Sequence, residues 1–234
     1  MKSAPVILVP GAWLGAWAWN RVVDILQARG SEVTALTLPG LEAADADRQS
    51  IGLADHIEAI CEAVRSAQQP VVLCLHSYAG CPGYAASDRL ADRVAHVVYV
   101  DTGPATGAID PSCTGVDWPL PTPWEALDEN LDGIQPEDLE EFRRRAVPHP
   151  AQTLRESPVL TNPSRLDIPS TVVCTSFTAR QYQEAARDGY VWLGGLVELR
   201  NVTYVDLPTS HWPMWSQPEE LASLIGDISE NAGS

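Results

Sequence analysis

The sequence has almost no lysine. Lys2 is the only one among 234 residues, and 31 Asp and Glu against 15 Lys and Arg leave a net charge of −16. A surface this acidic repels nucleic acid and anionic membranes, so neither is expected as a partner. The charge speaks to solubility and leaves the substrate open. No run approaches the roughly 18–20 apolar residues that cross a bilayer. Met1-Lys2 precedes an apolar stretch, and Ala16-Trp17-Ala18 resembles a signal-cleavage site. One lysine is a thin charged region, however, and Pro10-Gly11 breaks the apolar run. Cleavage there would also remove the first core strand, so a cytoplasmic location is expected. Cysteine is sparse and odd in number: Cys61, Cys74, Cys81, Cys113 and Cys174 form no close pairs. A disulfide framework is thus not expected, and Cys74 and Cys174, inside apolar runs, read as small core residues. No CxxC or HExxH spacing suggests a metal. There is no internal repeat and no low-complexity tract.

What is present is a rhythm of strands and helices. Apolar runs at 6–9, 33–38, 71–75, 94–100, 170–174 and 202–207 read as strands bounded by Pro, Gly or polar residues. Helical spacing fits 17–29, 51–67 with Ser50 as a candidate N-cap, 78–90, 179–187 and 218–229, with a frayed tail over 231–234. This alternation predicts an α/β fold: a mostly parallel sheet with helices on both faces. The rhythm breaks between 102 and 167, where prolines abound and no strand is convincing. Only Pro136–Arg145 reads as a helix there, acidic in its first turn and basic in its last. Long insertions in such folds are more often functional covers than stray loops. The expected organisation is a core of 1–103 and 169–234 with a small helical cap at 104–168.

Ser77 stands just after one buried run and just before a helix, where a sharp turn exposes a hydroxyl beside helix N-terminal amides. The G-x-S-x-G pattern of such turns is broken: the sequence reads Leu75-His76-Ser77-Tyr78-Ala79-Gly80. His211, just past the last strand, can reach over the sheet edge as a general base, and the order of serine first and histidine last fits. Pro10-Gly11-Ala12-Trp13 follows the first strand. The amides of Ala12 and Tyr78 are candidate oxyanion donors, and Trp13 is a candidate substrate contact, although Trp13, Trp17 and Trp19 read first as packing residues. Trp118 and Trp124 are candidate ligand contacts from the cap. His76 reads as a support of the turn; His56, His96 and His149 read as structural or surface residues.

Val-Pro-Gly-Ala-Trp-Leu-Gly-Ala-Trp (9–17), Leu-His-Ser-Tyr-Ala-Gly (75–80) and Ser-His-Trp-Pro-Met-Trp-Ser-Gln-Pro-Glu (210–219) together resemble small α/β-hydrolases. The resemblance is to the branch of plant methyl-esterases, hydroxynitrile lyases and their bacterial relatives. It extends to Tyr-Val-Asp (99–101) and Pro-His-Pro (148–150). It implies an α/β-hydrolase fold, a serine nucleophile, a histidine base, a cap over a mainly apolar pocket and no cofactor. Three positions depart: Pro10 stands where histidine is common, Leu75 replaces the first glycine of the turn, and the loop after Cys174 carries no carboxylate before Glu184. The acid that orients the histidine usually comes from that loop. Asp101, at the end of the preceding strand, is the alternative acid; a Ser77–His211 dyad, or an acid not identified, stays open. The leading expectation is hydrolysis of an ester, lactone or thioester of a small, largely apolar molecule. A lyase, cyclase or isomerase on the same scaffold, and a ligand-binding pseudoenzyme, are the alternatives. A small-molecule substrate is the expected partner, with a homodimer left open.

Overall fold

The structure, a computed structural model, describes residues 3–233. The Met1-Lys2 region weighed for targeting and Ser234 lie outside the described residues. Six strands form one sheet: β1 (Val6–Val9), β2 (Val33–Ala35), β3 (Val71–His76), β4 (Val94–Val100), β7 (Ser170–Cys174) and β8 (Val202–Asp206), in the order β2-β1-β3-β4-β7-β8 with every pairing parallel. β1, β3 and β7 are buried along their whole length. That is what helices on both faces require, and it explains why these runs are apolar throughout rather than alternating. Helices α1 (Asn20–Ala28) and α8 (Pro218–Ala232) pack together, as do α2 (Leu53–Ser66) and α3 (Gly80–Arg89); α6 (Ala179–Arg187) follows β7.

The segment 104–168 carries α4 (Pro136–Arg145), the short α5 (Gln152–Arg155) and an antiparallel two-stranded ribbon, β5 (Asp117–Trp118) with β6 (His149–Pro150). The ribbon is a correction to the sequence reading; two-residue strands have no periodicity to detect. Other corrections are local. Ser50 does not cap α2: the Asp55 carboxylate accepts the Gly52 N–H at 2.8 Å and Glu156 accepts the Leu53 N–H at 2.6 Å, so the helix starts later. β2 stops at Ala35, not at Leu38, shortly before Pro39, which has no N–H to give. The helix expected from Trp17 begins as a 3₁₀ turn over Ala16–Trp19. A 3₁₀ stretch at Val191–Val197 and the one-turn α7 (Pro213–Ser216) went unread, and α8 runs to Ala232, into the tail expected to fray.

Leu75 explains itself across the sheet–helix interface. It is fully buried, and a Cβ on Gly83 of α3 would fall 2.2 Å from its Cδ2. The close approach of strand and helix is thus kept, with the missing side chain moved from residue 75 to residue 83. Gly83→Ala should therefore destabilise the protein by about 1–3 kcal/mol in urea unfolding, despite alanine's better helix propensity. Leu75→Ala alone should cost about 2–5 kcal/mol. The double variant should cost clearly less than the two together; additive costs would mean the two side chains do not compete for one space.

Candidate active site

From β1 the chain lays β2 on one side and β3 on the other, so a crevice opens at the carboxyl ends of the strands, where ligands bind in open α/β sheets. Four segments meet there: residues 10–13 after β1, Ser77 after β3, Asp101 after β4 and His211 beyond β8. Ser77 has φ +52°, a left-handed conformation costing of order 1–3 kcal/mol for a side chain with a Cβ. It is sustained by crowding on every side. A Cβ on Gly11 would lie 2.8 Å from the Ser77 Cβ, and one on Gly80 would lie 2.3 Å from the Gly103 carbonyl oxygen. Ser77 is therefore the residue of a forced turn and not a helix N-cap.

The His211 Nε2 lies 2.9 Å from Ser77 Oγ, and its Nδ1 lies 2.7 Å from Asp101 Oδ2. Asp101 also has a left-handed φ, +48°, and is 4% exposed. Its Oδ1 accepts from the Thr175 and Ser176 amides at 3.0 and 2.9 Å and from the Tyr182 hydroxyl at 2.9 Å; its Oδ2 also accepts the Ser176 hydroxyl at 2.6 Å. The loop after β7 thus gives hydrogen bonds to a carboxylate that arrives from the neighbouring strand. Burial pushes the Asp101 pKa up, but the His211 and Ser176 hydrogen bonds and the nearby imidazole outweigh it and hold the carboxyl well below its usual range. For His211, burial opposes the imidazolium. The Asp101 hydrogen bond and the charges of Glu129 and Asp101 overcome it, and the pKa is raised.

His76 ties these parts together. Its Nδ1 accepts the Gly11 N–H at 3.2 Å, and its Nε2 donates to the His211 carbonyl oxygen at 2.7 Å. Burial, with His211 adding to it, pushes its pKa down to about 3, so the ring is neutral and the two contacts fix its tautomer. Ala12 and Tyr78 both border the crevice beside Ser77. The Tyr78 hydroxyl meets His56 Nδ1 at 2.8 Å, and His56 Nε2 meets the Pro39 carbonyl at 2.8 Å, which pins the side chain and so the backbone of the turn.

A family model described as the alpha/beta hydrolase family matches residues 6–224. The chain belongs to this family. Esterase PIR7B of Oryza sativa subsp. japonica is 32% identical over 146 residues, 61% of this chain and 46% of that protein. The chain therefore aligns with less than half of that relative's length. The pyrethroid hydrolase of Sphingobium wenxiniae is 26% identical over 98% of this chain and 89% of its own. Among solved structures, tomato methylketone synthase I in complex with β-ketoheptanoate matches with a TM-score of 0.75 at 16% identity, covering 99% of both chains. An extracellular alpha/beta-hydrolase from a Paenibacillus species matches with a TM-score of 0.75 at 17% identity, over 96% of this chain and 98% of the other. Both likenesses show the shared fold.

In this alpha/beta hydrolase the crevice widens into a cavity of about 340 Å³ between Ser77 and the segment 104–168. Trp13, at φ +66°, packs its ring 4.3 Å from that of Trp118 and donates its indole N–H to the Trp118 carbonyl. Both line the cavity. Trp124 does not; it packs on Phe142 with Arg143 over its ring. Several cavity residues escaped the sequence reading, among them Glu129, 3.8 Å from His211 Nδ1, and the aromatics Phe177 and Tyr182. No motif marks them, since they reach the site from the insertion and from α6 and the loop before it. His56 and His149 are buried behind Tyr78 and His96 is partly buried, so none of the three borders the cavity.

His211's raised pKa in the folded state contributes stability that is fully present below histidine's unfolded value of about 6.5 and is lost as pH rises through the folded value. An NMR titration should place His211 above 6.5 in the wild type. In Asp101→Asn the largest opposing contact is gone, burial gains the upper hand, and the midpoint should fall. An unchanged midpoint would show that Asp101 does not hold the imidazolium.

Proposed function

We propose that this protein hydrolyses an ester, lactone or thioester of a small, largely apolar molecule through a Ser77 acyl-enzyme. The observation that carries this is the unbroken hydrogen-bonded line from Ser77 Oγ through His211 to Asp101, opening on an aromatic-walled cavity. His211 Nε2 takes the Ser77 proton as Oγ attacks the carbonyl carbon. The resulting imidazolium is stabilised by the buried Asp101 carboxylate, which also fixes the tautomer by accepting Nδ1–H. The negative charge on the former carbonyl oxygen is held by the Ala12 and Tyr78 amides. His211 then protonates the leaving group, and water, activated by the same nitrogen, releases the acid. Residues 104–168 serve as the cap: with the indole pair of Trp13 and Trp118 they restrict water and set the apolar character of the pocket. A small-molecule substrate and a cytoplasmic setting complete this reading. No helix among the described residues is long and apolar enough to cross a membrane.

The esterase and hydrolase names of its relatives favour hydrolysis over lyase or cyclase chemistry. A serine-directed organophosphonate should label the wild type at Ser77 and leave His211→Ala largely unlabelled. With activated esters, Ser77→Ala should lose at least about a thousandfold in kcat. Equal turnover by wild type and Ser77→Ala would remove the acyl-enzyme from consideration.

The base must be neutral to act, so kcat/KM should rise with pH through the His211 ionisation, above histidine's usual value. Asp101→Asn should cost about three to four orders of magnitude in kcat while the protein stays folded. Near-normal activity in that variant would leave a Ser77–His211 dyad as the working machinery.

A further inference from the structure

A second hollow of about 320 Å³ lies outside the cavity and shares three walls with it: Phe177, Tyr182 and Trp192. Their rings form an edge-to-face chain that continues outward, Phe177 to Tyr182 at 6.4 Å, Tyr182 to Trp192 at 6.1 Å and Trp192 to Tyr190 at 6.4 Å. Phe177 and Tyr190 are 52% and 55% exposed, among the few large apolar residues left in water. Tyr182 is buried and Trp192 half-buried, so the two exposed rings, Phe177 and Tyr190, stand at the ends of a chain rooted in the core; exposed aromatic area beside a cavity is a feature of binding surfaces.

The position of this groove relative to the proton relay says which part of a substrate it faces. Ser77 follows β3, the groove residues follow β7 and His211 lies beyond β8, so by the sheet order β1-β3-β4-β7-β8 the aromatic chain stands on the His211 side of Ser77. Trp13 follows β1, on the opposite side of β3, and with Trp118, its ring 4.3 Å away, it walls the cavity. In acylation the bond from Ser77 Oγ to the carbonyl carbon forms and the carbon–oxygen bond to the alcohol breaks. The proton that His211 took from Ser77 passes to the departing alkoxide oxygen. That oxygen must therefore sit at His211 Nε2, on the side of Ser77 where the outer groove lies.

We propose that Phe177, Tyr182, Trp192 and Tyr190 form a leaving-group groove, so that the preferred substrates join a small acyl group to a long apolar alcohol or thiol. This rests on the hydrolytic reading above and adds the polarity of the substrate to it. The occupant is the substrate's own tail, because three aromatic side chains wall both the groove and the reacting cavity.

The test compares octyl acetate with ethyl octanoate, isomers of equal apolar content that differ only in which side of the carbonyl is long. kcat/KM for octyl acetate should exceed that for ethyl octanoate by about tenfold or more, and in a series from ethyl to octyl acetate it should climb by up to about fourfold per methylene before levelling off. Tyr190→Ser, at an exposed position, should lower the octyl-to-ethyl acetate ratio about fivefold. Equal or better turnover of ethyl octanoate, or a ratio that Tyr190→Ser does not move, overturns the groove while leaving Ser77-dependent hydrolysis intact. If sedimentation shows a dimer that Tyr190→Ser dissociates with the ratio unchanged, a second copy covers this face and the groove is likewise overturned. Absence of Ser77-dependent turnover for every ester would defeat the hydrolytic reading and this one with it.

Discussion

The buried Asp101 carboxylate is the contact on which the rest of the site depends. A charge taken out of water costs several kcal/mol unless hydrogen bonds replace its hydration. Here the replacements come from separate parts of the chain: two amides and a hydroxyl from the loop after β7, a phenol from α6 and an imidazole from beyond β8. Satisfying one carboxylate therefore fixes the relative positions of β4, β7, α6 and the histidine loop. The same requirement explains the left-handed backbone at Asp101, which turns the side chain from its own strand end toward the neighbouring loop.

A second node does for the serine what Asp101 does for the histidine. Through its two ring nitrogens, neutral His76 holds the Gly11 amide and the His211 carbonyl, while its backbone leads directly into Ser77. The loop that presents Ala12, the turn that presents Ser77 and the loop that presents His211 are thus referenced to one buried ring. Because that ring stays neutral across ordinary pH, this frame does not change with the protonation of the base it supports.

Much of this was legible in the sequence, for identifiable reasons. The centre of the sheet was legible because β1, β3 and β7 are buried along their whole length and read as apolar runs, while the partly exposed edge strands β2 and β8 were legible from their β-branched residues and place in the rhythm. Ser77 and His211 were legible because each follows such a run at the edge where ligands bind. Asp101 was reachable only through the family resemblance, which allows the acid after the preceding strand: nothing in Tyr99-Val100-Asp101 itself distinguishes an acid that crosses to a histidine from one that merely ends a strand. Leu75 looked like an obstacle because a motif records which residues are small and not which partner makes room; the room is at Gly83, eight positions on. Glu129, Phe177 and Tyr182 were illegible, since they belong to segments brought to the cavity by packing and not by periodicity. The β5–β6 ribbon was too short to carry a pattern.

The segment 104–168 is bonded to the loops that carry His211 and Ala12. The Asn130 carbonyl accepts the His211 amide at 2.8 Å, and the Asn130 side chain donates to the Thr209 carbonyl at 2.8 Å. On the far side the Val147 amide donates to the Trp13 carbonyl. Swinging these residues aside would unseat the backbone of the histidine and of the loop that carries Ala12. Under the proposed function, a cap tied this way could open there only by breaking those bonds.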